Sequence, residues 1–466
     1  MFITDWSDAV FIHLVALVAA FVTAYFALQT SRSPQGAVGW VVLILAFPYI
    51  GIPAYIVFGY ANYSKFTRER RESDEKFGLA PKVTDGPARP DDRLAIFGRL
   101  TGHEIVGGNS MHLMDDVAVI YDEIIAAVDG AEHYVLMQYY EMEDDETGKR
   151  FKKALCDKAR QGVAVYLMHD EAPFAGLPKP YVAELRDAGV HVAQPKGPSR
   201  ALKHLQFNHR NHRKLVVVDG TRAFTGGANC GDKYLGKSKV GAWRDTFAEF
   251  NGPIVDQLQL SYAGDWAWAT EENISGVFRK PETAGDLRAV SMPIGPSDRL
   301  DNGNLYFAAL AQRARKRLWI TTPYFAPDPA VMNSMQLAAA RGVDLKIMVP
   351  DIPEKRVPFW AAHVYFDHIR RAGGEIWRYK AGFSHQKIAL IDDDLVSIGS
   401  VNMDVRSGLL NFELTVMVEG EEAAQAVEEM LNRDLEQAYR VEKTLDDQPF
   451  WLRVAARVSS LFAPQL

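Results

Sequence analysis

The chain carries the triplet His212-Arg213-Lys214, followed after four residues by Asp219 and after six more by Gly226-Gly227-Ala228-Asn229. The same order returns as His385-Gln386-Lys387, then Asp392, then Gly399-Ser400-Val401-Asn402. A single His-x-Lys carries no information, but the full pattern arises by chance in such a chain on the order of 10⁻⁵ times. In an extended segment, residues two apart share a face, so each histidine and lysine point to one side. A glycine at Gly227 lets backbone approach closely, and Ser400 holds the matching position. Asn229 and Asn402 can add amide donors at the same spot. Two copies brought together surround one pocket with paired His, Lys and Asn. That is a phosphodiester site. A neutral imidazole can attack phosphorus, and an imidazolium can protonate the leaving oxygen. The lysines and amides can hold the non-bridging oxygens as charge builds. So much positive charge requires neither a metal nor a cofactor. Asp219 and Asp392 fit support of their strands better than proton transfer.

The elements that must position these residues also repeat, with a period of roughly 180 residues. Glu132–Tyr140 and Lys316–Phe325 read as matching buried strands. Each is followed by a helix pattern that ends in glycine, at Gly162 and Gly342, and by an apolar strand ending near Asp170 or Asp351. A second helix ends at Gly189 in one half and Gly373 in the other. This is βαβ punctuation with strands covered on both faces. The expected body is therefore α/β, with one domain over residues 96–275 and a similar one over 276–440.

The N-terminal end is different in kind. Residues 1–60 contain only three charged side chains, Asp5, Asp8 and Arg32. Ala9–Ser31 is uncharged and long enough for a hydrocarbon core of about 30 Å. A second apolar run covers residues 37–60, with Pro48, Gly51 and Pro53 inside it. The reading is a hairpin of two transmembrane spans, the second one kinked or entering and leaving on one side. A secretory leader fits poorly, because no Lys or Arg precedes the first run. His13 in that run fits packing better than proton relay. Lys65, Arg68, Arg70 and Arg71 follow the second run, which puts the rest of the chain in the cytoplasm. Residues 61–95 read as a linker.

Composition narrows the partners. The 466 residues are 48% hydrophobic with a net charge of −7, and the two cysteines give no disulfide framework. An acidic chain is a poor binder of nucleic acid through bulk charge. Locally, residues 191–214 hold six Lys or Arg and no acid, together with His191, His204, His209 and His212. A basic collar for anionic lipid headgroups suits that strip better than a metal site. Residues 441–466 form a tail in which Phe450–Phe462 reads as a short basic amphipathic helix. Such a helix suits a membrane surface or packing on the domain.

The duplicated His-x-Lys-x4-Asp signature resembles that of the phospholipase D superfamily. Within it, the chain resembles the bacterial cardiolipin synthases over nearly its whole length. The likeness runs through Trp40, Leu45, Pro48, Gly51, Tyr55 and Phe58-Gly59 in the membrane segment. It continues through Trp243-Arg244-Asp245 and Asn411-Phe412-Glu413 downstream. The resemblance implies two pseudo-symmetric α/β/α sandwich domains sharing one site. It implies a phosphohistidine on one motif histidine, with His212 the expected nucleophile and His385 the acid and then base. It also places Asp245 and Glu413 as carboxylates that orient the opposite histidine. The implied reaction moves a phosphatidyl group from one phosphatidylglycerol to another and releases glycerol. A hydrolytic phospholipase D shares every catalytic residue. A nuclease is disfavoured by the acidic balance and the membrane end, and a non-catalytic scaffold by the intact His and Lys of both copies.

Overall fold

The computed structural model describes residues 6–31, 34–59, 61–80, 92–170, 176–195 and 210–463. It separates an N-terminal unit, within residues 1–73, from a body that starts at residue 74.

In the N-terminal unit, the first apolar run is a single helix, Trp6–Thr30, and its part Val10–Thr30 is long and apolar enough to cross a membrane. The second run is not one span. It is two short helices, Pro34–Ala46 and Pro48–Phe58, broken at Phe47 (φ −135°, ψ 66°). Pro48 has no N–H to donate and forces the preceding residue out of the helical region. At 13 and 11 residues, neither piece reaches across a bilayer. Gly51 lets the second piece close on the first, since a Cβ there would lie 2.6 Å from the Ile44 Cα. Ala20, Ala24 and Ala27, one face of the long helix, pack with Ile44 and Tyr55. Thr30 and Tyr55 hydroxyls meet at 2.6 Å, and His13 Nδ1 lies 2.5 Å from the Tyr49 hydroxyl. Of the expected hairpin, the first run is a span-length helix, and the second breaks at Phe47-Pro48, the kind of interruption its prolines lead one to expect.

The expected linker also changes. Residues Ala61–Lys76 form a helix, and Ala95–Thr101 forms another. Leu94 and Phe97 sit in a core with Met292, Leu310 and Met417, so this short helix belongs to the second half and not the first. The part of the linker at 81–91, and the middle of the basic strip at 196–209 with His204 and His209, lie outside the described residues.

The two similar α/β halves are joined edge to edge. Their strands join one sheet of fifteen. From the midline outward, the first half runs Val106–Met114, Phe247–Asn251, Arg222–Gly226, Leu215–Val218, Tyr134–Tyr139, Ala164–His169, His191–Ala193. The second half repeats that order as Leu287–Ile294, Glu413–Glu419, Leu395–Gly399, Ile388–Ile391, Arg317–Thr321, Asp344–Pro350, Glu375–Tyr379, with Ala438–Arg440 added at the edge. Tyr134–Tyr139, Ala164–His169 and His191–Ala193 run parallel, as βαβ punctuation requires, and so do Arg317–Thr321, Asp344–Pro350 and Glu375–Tyr379, while the inner strands and the added edge strand pair antiparallel. The seam is the antiparallel pairing of Val106 with Ala289. One face of the whole sheet buries a shared core. Leu136 and Val217 meet it from one half and Leu390 and Val416 from the other, under the helices Ile254–Thr270 and Glu421–Glu436. Each half covers its opposite face with its own helices. Fusion buries two edges that would otherwise present unpaired backbone groups, while the chain itself passes from one half to the other between Thr270 and Leu287.

The repeat extends to backbone detail. Asp219 and Asp392 both take left-handed backbone conformations at φ 53°. Asp219 accepts from the backbone N–H groups of Glu132, His133 and Tyr134 at 2.8 Å each. Asp392 accepts from Arg315, Lys316 and Arg317, and from the Arg93 guanidinium at 2.8 Å. Each aspartate ties the end of one strand to the start of its neighbour.

Candidate active site

The segment ahead of each motif histidine is held by the opposite half. His212 N–H donates to Phe412 O, and Phe412 N–H donates to Arg210 O, both at 2.8 Å. In the mirror position His385 N–H donates to Arg244 O, and Phe383 N–H to Ala242 O, again at 2.8 Å. Each exchange continues into a carboxylate. His212 Nδ1 lies 2.9 Å from Glu413 Oε2, and His385 Nδ1 lies 2.7 Å from Asp245 Oδ2. Both carboxylates are fully buried. A carboxylate at Nδ1 fixes the N–H there and leaves Nε2 to face the pocket.

Lys214 and Lys387 fold back beside their histidines. Lys214 Nζ donates to His212 O at 2.6 Å, and Lys387 Nζ donates to His385 O. Burial brings Lys214 down to about 7, with Lys387 adding repulsion. Burial brings Lys387 down to about 8. The histidines respond to the same surroundings. Burial, with Lys214 beside it, lowers His212 to about 4, and burial with both lysines holds His385 well below its usual range. The empty pocket therefore favours neutral imidazoles and strains its own cations. An arriving phosphodiester anion removes that strain, and restores the basicity of Lys and His together.

The two carboxylates are not equivalent. Burial pushes Glu413 up, but His212, Lys214 and the Ser400 hydroxyl outweigh it and hold the group below the usual carboxylate range. Burial raises Asp245 to about 7. The supporting contacts explain the difference. Ser400 Oγ donates to Glu413 Oε2 at 2.5 Å, and Asn411 Nδ2 donates to Oε1 at 3.2 Å. Asp245 Oδ1 accepts the Thr246 N–H at 2.8 Å, and Gly227 leaves room for it, since a Cβ there would fall 2.1 Å from that oxygen. Ser400 and Gly227, expected to bind substrate, thus stand behind the carboxylates. The Ser400 hydroxyl is committed to Glu413.

Asn229 is also committed, with its Nδ2 donating to the Tyr234 hydroxyl at 2.7 Å and its Oδ1 accepting the Glu141 N–H at 3.3 Å. Asn402 is not, because its Oδ1 is buried without a hydrogen-bond partner. That oxygen can accept from a donor such as a substrate hydroxyl, not from a phosphate oxygen. Among the described residues, no three His, Cys, Asp or Glu side chains converge as a metal site.

Comparison with known proteins gives the family. The model of the cardiolipin synthase PLD-like domain matches residues 124–240 and 307–435, and that of the phospholipase D-nuclease N-terminal segment matches 15–59. Cardiolipin synthase A of Pseudomonas putida strain GB-1 is 35% identical over 97% of both chains. The protein of that name from Pseudomonas fluorescens is 35% identical over 98% of both. The chain belongs to the cardiolipin synthase family of phospholipase D-like proteins. Phosphatidylserine synthase from Haemophilus influenzae shares the fold, at a TM-score of 0.61 and 14% identity over 78% of this chain and 97% of that one.

For a cardiolipin synthase family member, several residues at the site carry no sequence signal of their own. The middle residues of both triplets are clamps between the halves. Arg213 pairs with buried Asp265 at 2.9 Å and donates to Glu413 O at 3.0 Å. Gln386 donates to Thr246 Oγ1 at 2.9 Å and to Asp434 at 3.0 Å. Breaking one side of a buried pair such as Arg213–Asp265 costs about 3–5 kcal/mol. Tyr140 sets its ring edge against His212, with centroids 5.0 Å apart, and Trp243 and Tyr234 flank His385 at 5.1 and 5.9 Å. These rings wall the histidines off from water. Alternation along the strands, which turns the middle residue of each triplet away from its neighbours, was the one available hint for Arg213 and Gln386.

Proposed function

We propose that the chain is a membrane-bound phosphatidyltransferase that makes cardiolipin from two phosphatidylglycerol molecules. The near full-length likeness to proteins named cardiolipin synthase A supports transfer over hydrolysis. The observation that carries the chemistry is the crossed pair of His–carboxylate contacts around two buried lysines. His212 Nε2 attacks phosphorus while the bond from phosphorus to the glycerol oxygen breaks. His385 gives that oxygen its proton, and glycerol leaves. The hydroxyl of a second phosphatidylglycerol then gives its proton to His385 as its oxygen takes phosphorus from His212. One phosphodiester replaces another, so no nucleotide is needed.

The unequal carboxylates support this assignment. Glu413, kept ionised by His212, Lys214 and the Ser400 hydroxyl, stabilises the positive charge that grows on an attacking His212. Asp245, pushed up to about 7, shares a proton with His385 as a coupled pair suited to acid and then base. Lys65, Arg68, Arg70 and Arg71, which follow the apolar helices in the sequence, support a body on the cytoplasmic face of the membrane.

Purified protein in detergent, given phosphatidylglycerol without metal or nucleotide, should yield cardiolipin and glycerol in equal amounts. Phosphatidic acid as the sole product would make the protein a lipase, and cleavage of added DNA with unchanged lipid would make it a nuclease. Labelled phosphatidyl trapped on a His385 peptide, with none on His212, would reverse the two histidine roles.

A further inference from the structure

The tail helix Phe450–Ser460 is turned inside out relative to an ordinary surface helix. Its buried residues are the small ones, Ala456 and Ser459, which face the body where the helix packs along the helix Arg356–Arg371. Its large apolar residues point the other way. Phe450 is 73% exposed and Trp451 61%, and Val454, Val458, Leu461 and Phe462 are exposed with them. At 100° per residue these six fall within an arc of about 120°, opposite Ala456 and Ser459. A helix that only packs on its domain does the reverse.

The flank of the stripe is basic. From Gln448 to Ala463 the chain has two arginines, Arg453 and Arg457, and no acid. The Arg453 guanidinium lies 5.8 Å from the centre of the Phe450 ring. Arg457 reaches only exposed Asp446, at 3.6 Å, a contact of little energetic weight. The same mixture continues into a cavity of about 530 Å³ beside the helix, where Phe359, Trp360 and Trp451 meet Arg440 and Lys443.

We infer that this helix lies in the interface of an anionic bilayer, with its apolar stripe among the acyl chains and Arg453 and Arg457 at lipid phosphates. Aromatic and aliphatic residues on one face and arginine at its edge are the composition of an interfacial helix. A chain with a span-length helix already has a bilayer for its neighbour. This attachment is separate from the N-terminal helix and from the catalytic pocket, and it holds whichever histidine attacks.

The test uses the full-length protein in lipid nanodiscs. Cys156 and Cys230 are buried, so Val454→Cys supplies one reactive thiol for a spin label, and Asp446→Cys supplies a control. In discs of phosphatidylglycerol and phosphatidylcholine, the label at 454 should collide more with oxygen than with a water-soluble nickel chelate, and the label at 446 the reverse. Replacing Arg453 and Arg457 by Gln should weaken that contrast when the anionic lipid is diluted. The pair Val454→Asp and Val458→Asp should leave the melting temperature and kcat unchanged and raise KM for lipid in mixed micelles about tenfold. Equal access of nickel to positions 454 and 446 overturns the inference. So does a label shielded from both reagents, the sign of a protein partner, or an unchanged KM in the double variant.

Discussion

Replacing each orienting carboxylate by its amide should harm the enzyme unequally, because the two are supported differently. Asp245 Oδ1 is fixed by the Thr246 N–H at 2.8 Å, so an Asn at 245 keeps its oxygen there and turns its NH2 toward His385. Donor then faces donor unless His385 moves its proton to Nε2, the wrong tautomer for proton transfer. Flipping the amide restores the tautomer but leaves a buried backbone N–H facing another donor, at about 2–3 kcal/mol. Loss of the charge opposite imidazolium adds about 1–2 kcal/mol. The sum, about 3–5 kcal/mol, is a fall in kcat on the order of 10³-fold for Asp245→Asn. Glu413→Gln differs. Its oxygen can stay at the Oε2 position, accepting from His212 and Ser400. Its NH2 then meets Asn411, whose own Oδ1 is buried without a partner and can turn to accept it. Only the charge is lost, about 1–2 kcal/mol or roughly tenfold. The assay is single-turnover formation of phosphohistidine and steady-state kcat for both variants, with melting temperatures as a check on folding. Equal losses, or a larger loss in Glu413→Gln, would refute the hydrogen-bond reasoning.

Other outcomes follow from the same contacts. Lys214→Met and Lys387→Met should abolish transfer yet raise the melting temperature at pH 7, because a strained buried cation is replaced by an apolar chain; calorimetry checks this. Lys214 falls to about 7 and Lys387 to about 8 in the empty pocket. Between those values and 10.5 the unfolded chain binds more protons, so stability of the empty enzyme should rise with pH over that window, and Lys214→Met should flatten the rise. An inert phosphodiester analogue should take up about one proton on binding at pH 8, read from titration calorimetry in buffers of different ionisation enthalpy; release of protons would contradict it. At the equivalent positions behind the carboxylates, Ser400→Ala removes one donor and should cost up to about tenfold in kcat. Gly227→Ala drives a Cβ into Asp245 and should cost far more, with kinetics of both variants as the comparison.

Much of this was legible in the sequence because the motif spacing is local. His212, Lys214, His385 and Lys387 stand directly ahead of the short strands Leu215–Val218 and Ile388–Ile391, whose apolar pattern is local. The resemblance supplied Asp245 and Glu413, and the structure brings each to the opposite histidine. What was not legible depends on contacts between distant segments. Nothing local to Ser400 or Gly227 says that a carboxylate stands behind it. Nothing in Leu94 or Phe97 says that they fill the second half's core and not the first's. Pro48 in the second apolar run signalled an interruption, but not that it would leave two helices of 13 and 11 residues. The fused sheet depends on the seam at Val106 and Ala289, and edge pairing of that kind leaves no periodic trace.

The crossed His–carboxylate pairs also bear on how the protein is made. A ribosome releases His212 long before Glu413, and Asp245 long before His385. During synthesis the first half can fold with its own strands, yet it holds a histidine without its carboxylate and a carboxylate without its histidine. Phosphodiester chemistry is withheld until the last third of the chain has docked. Neither half alone contains a complete histidine–carboxylate pair.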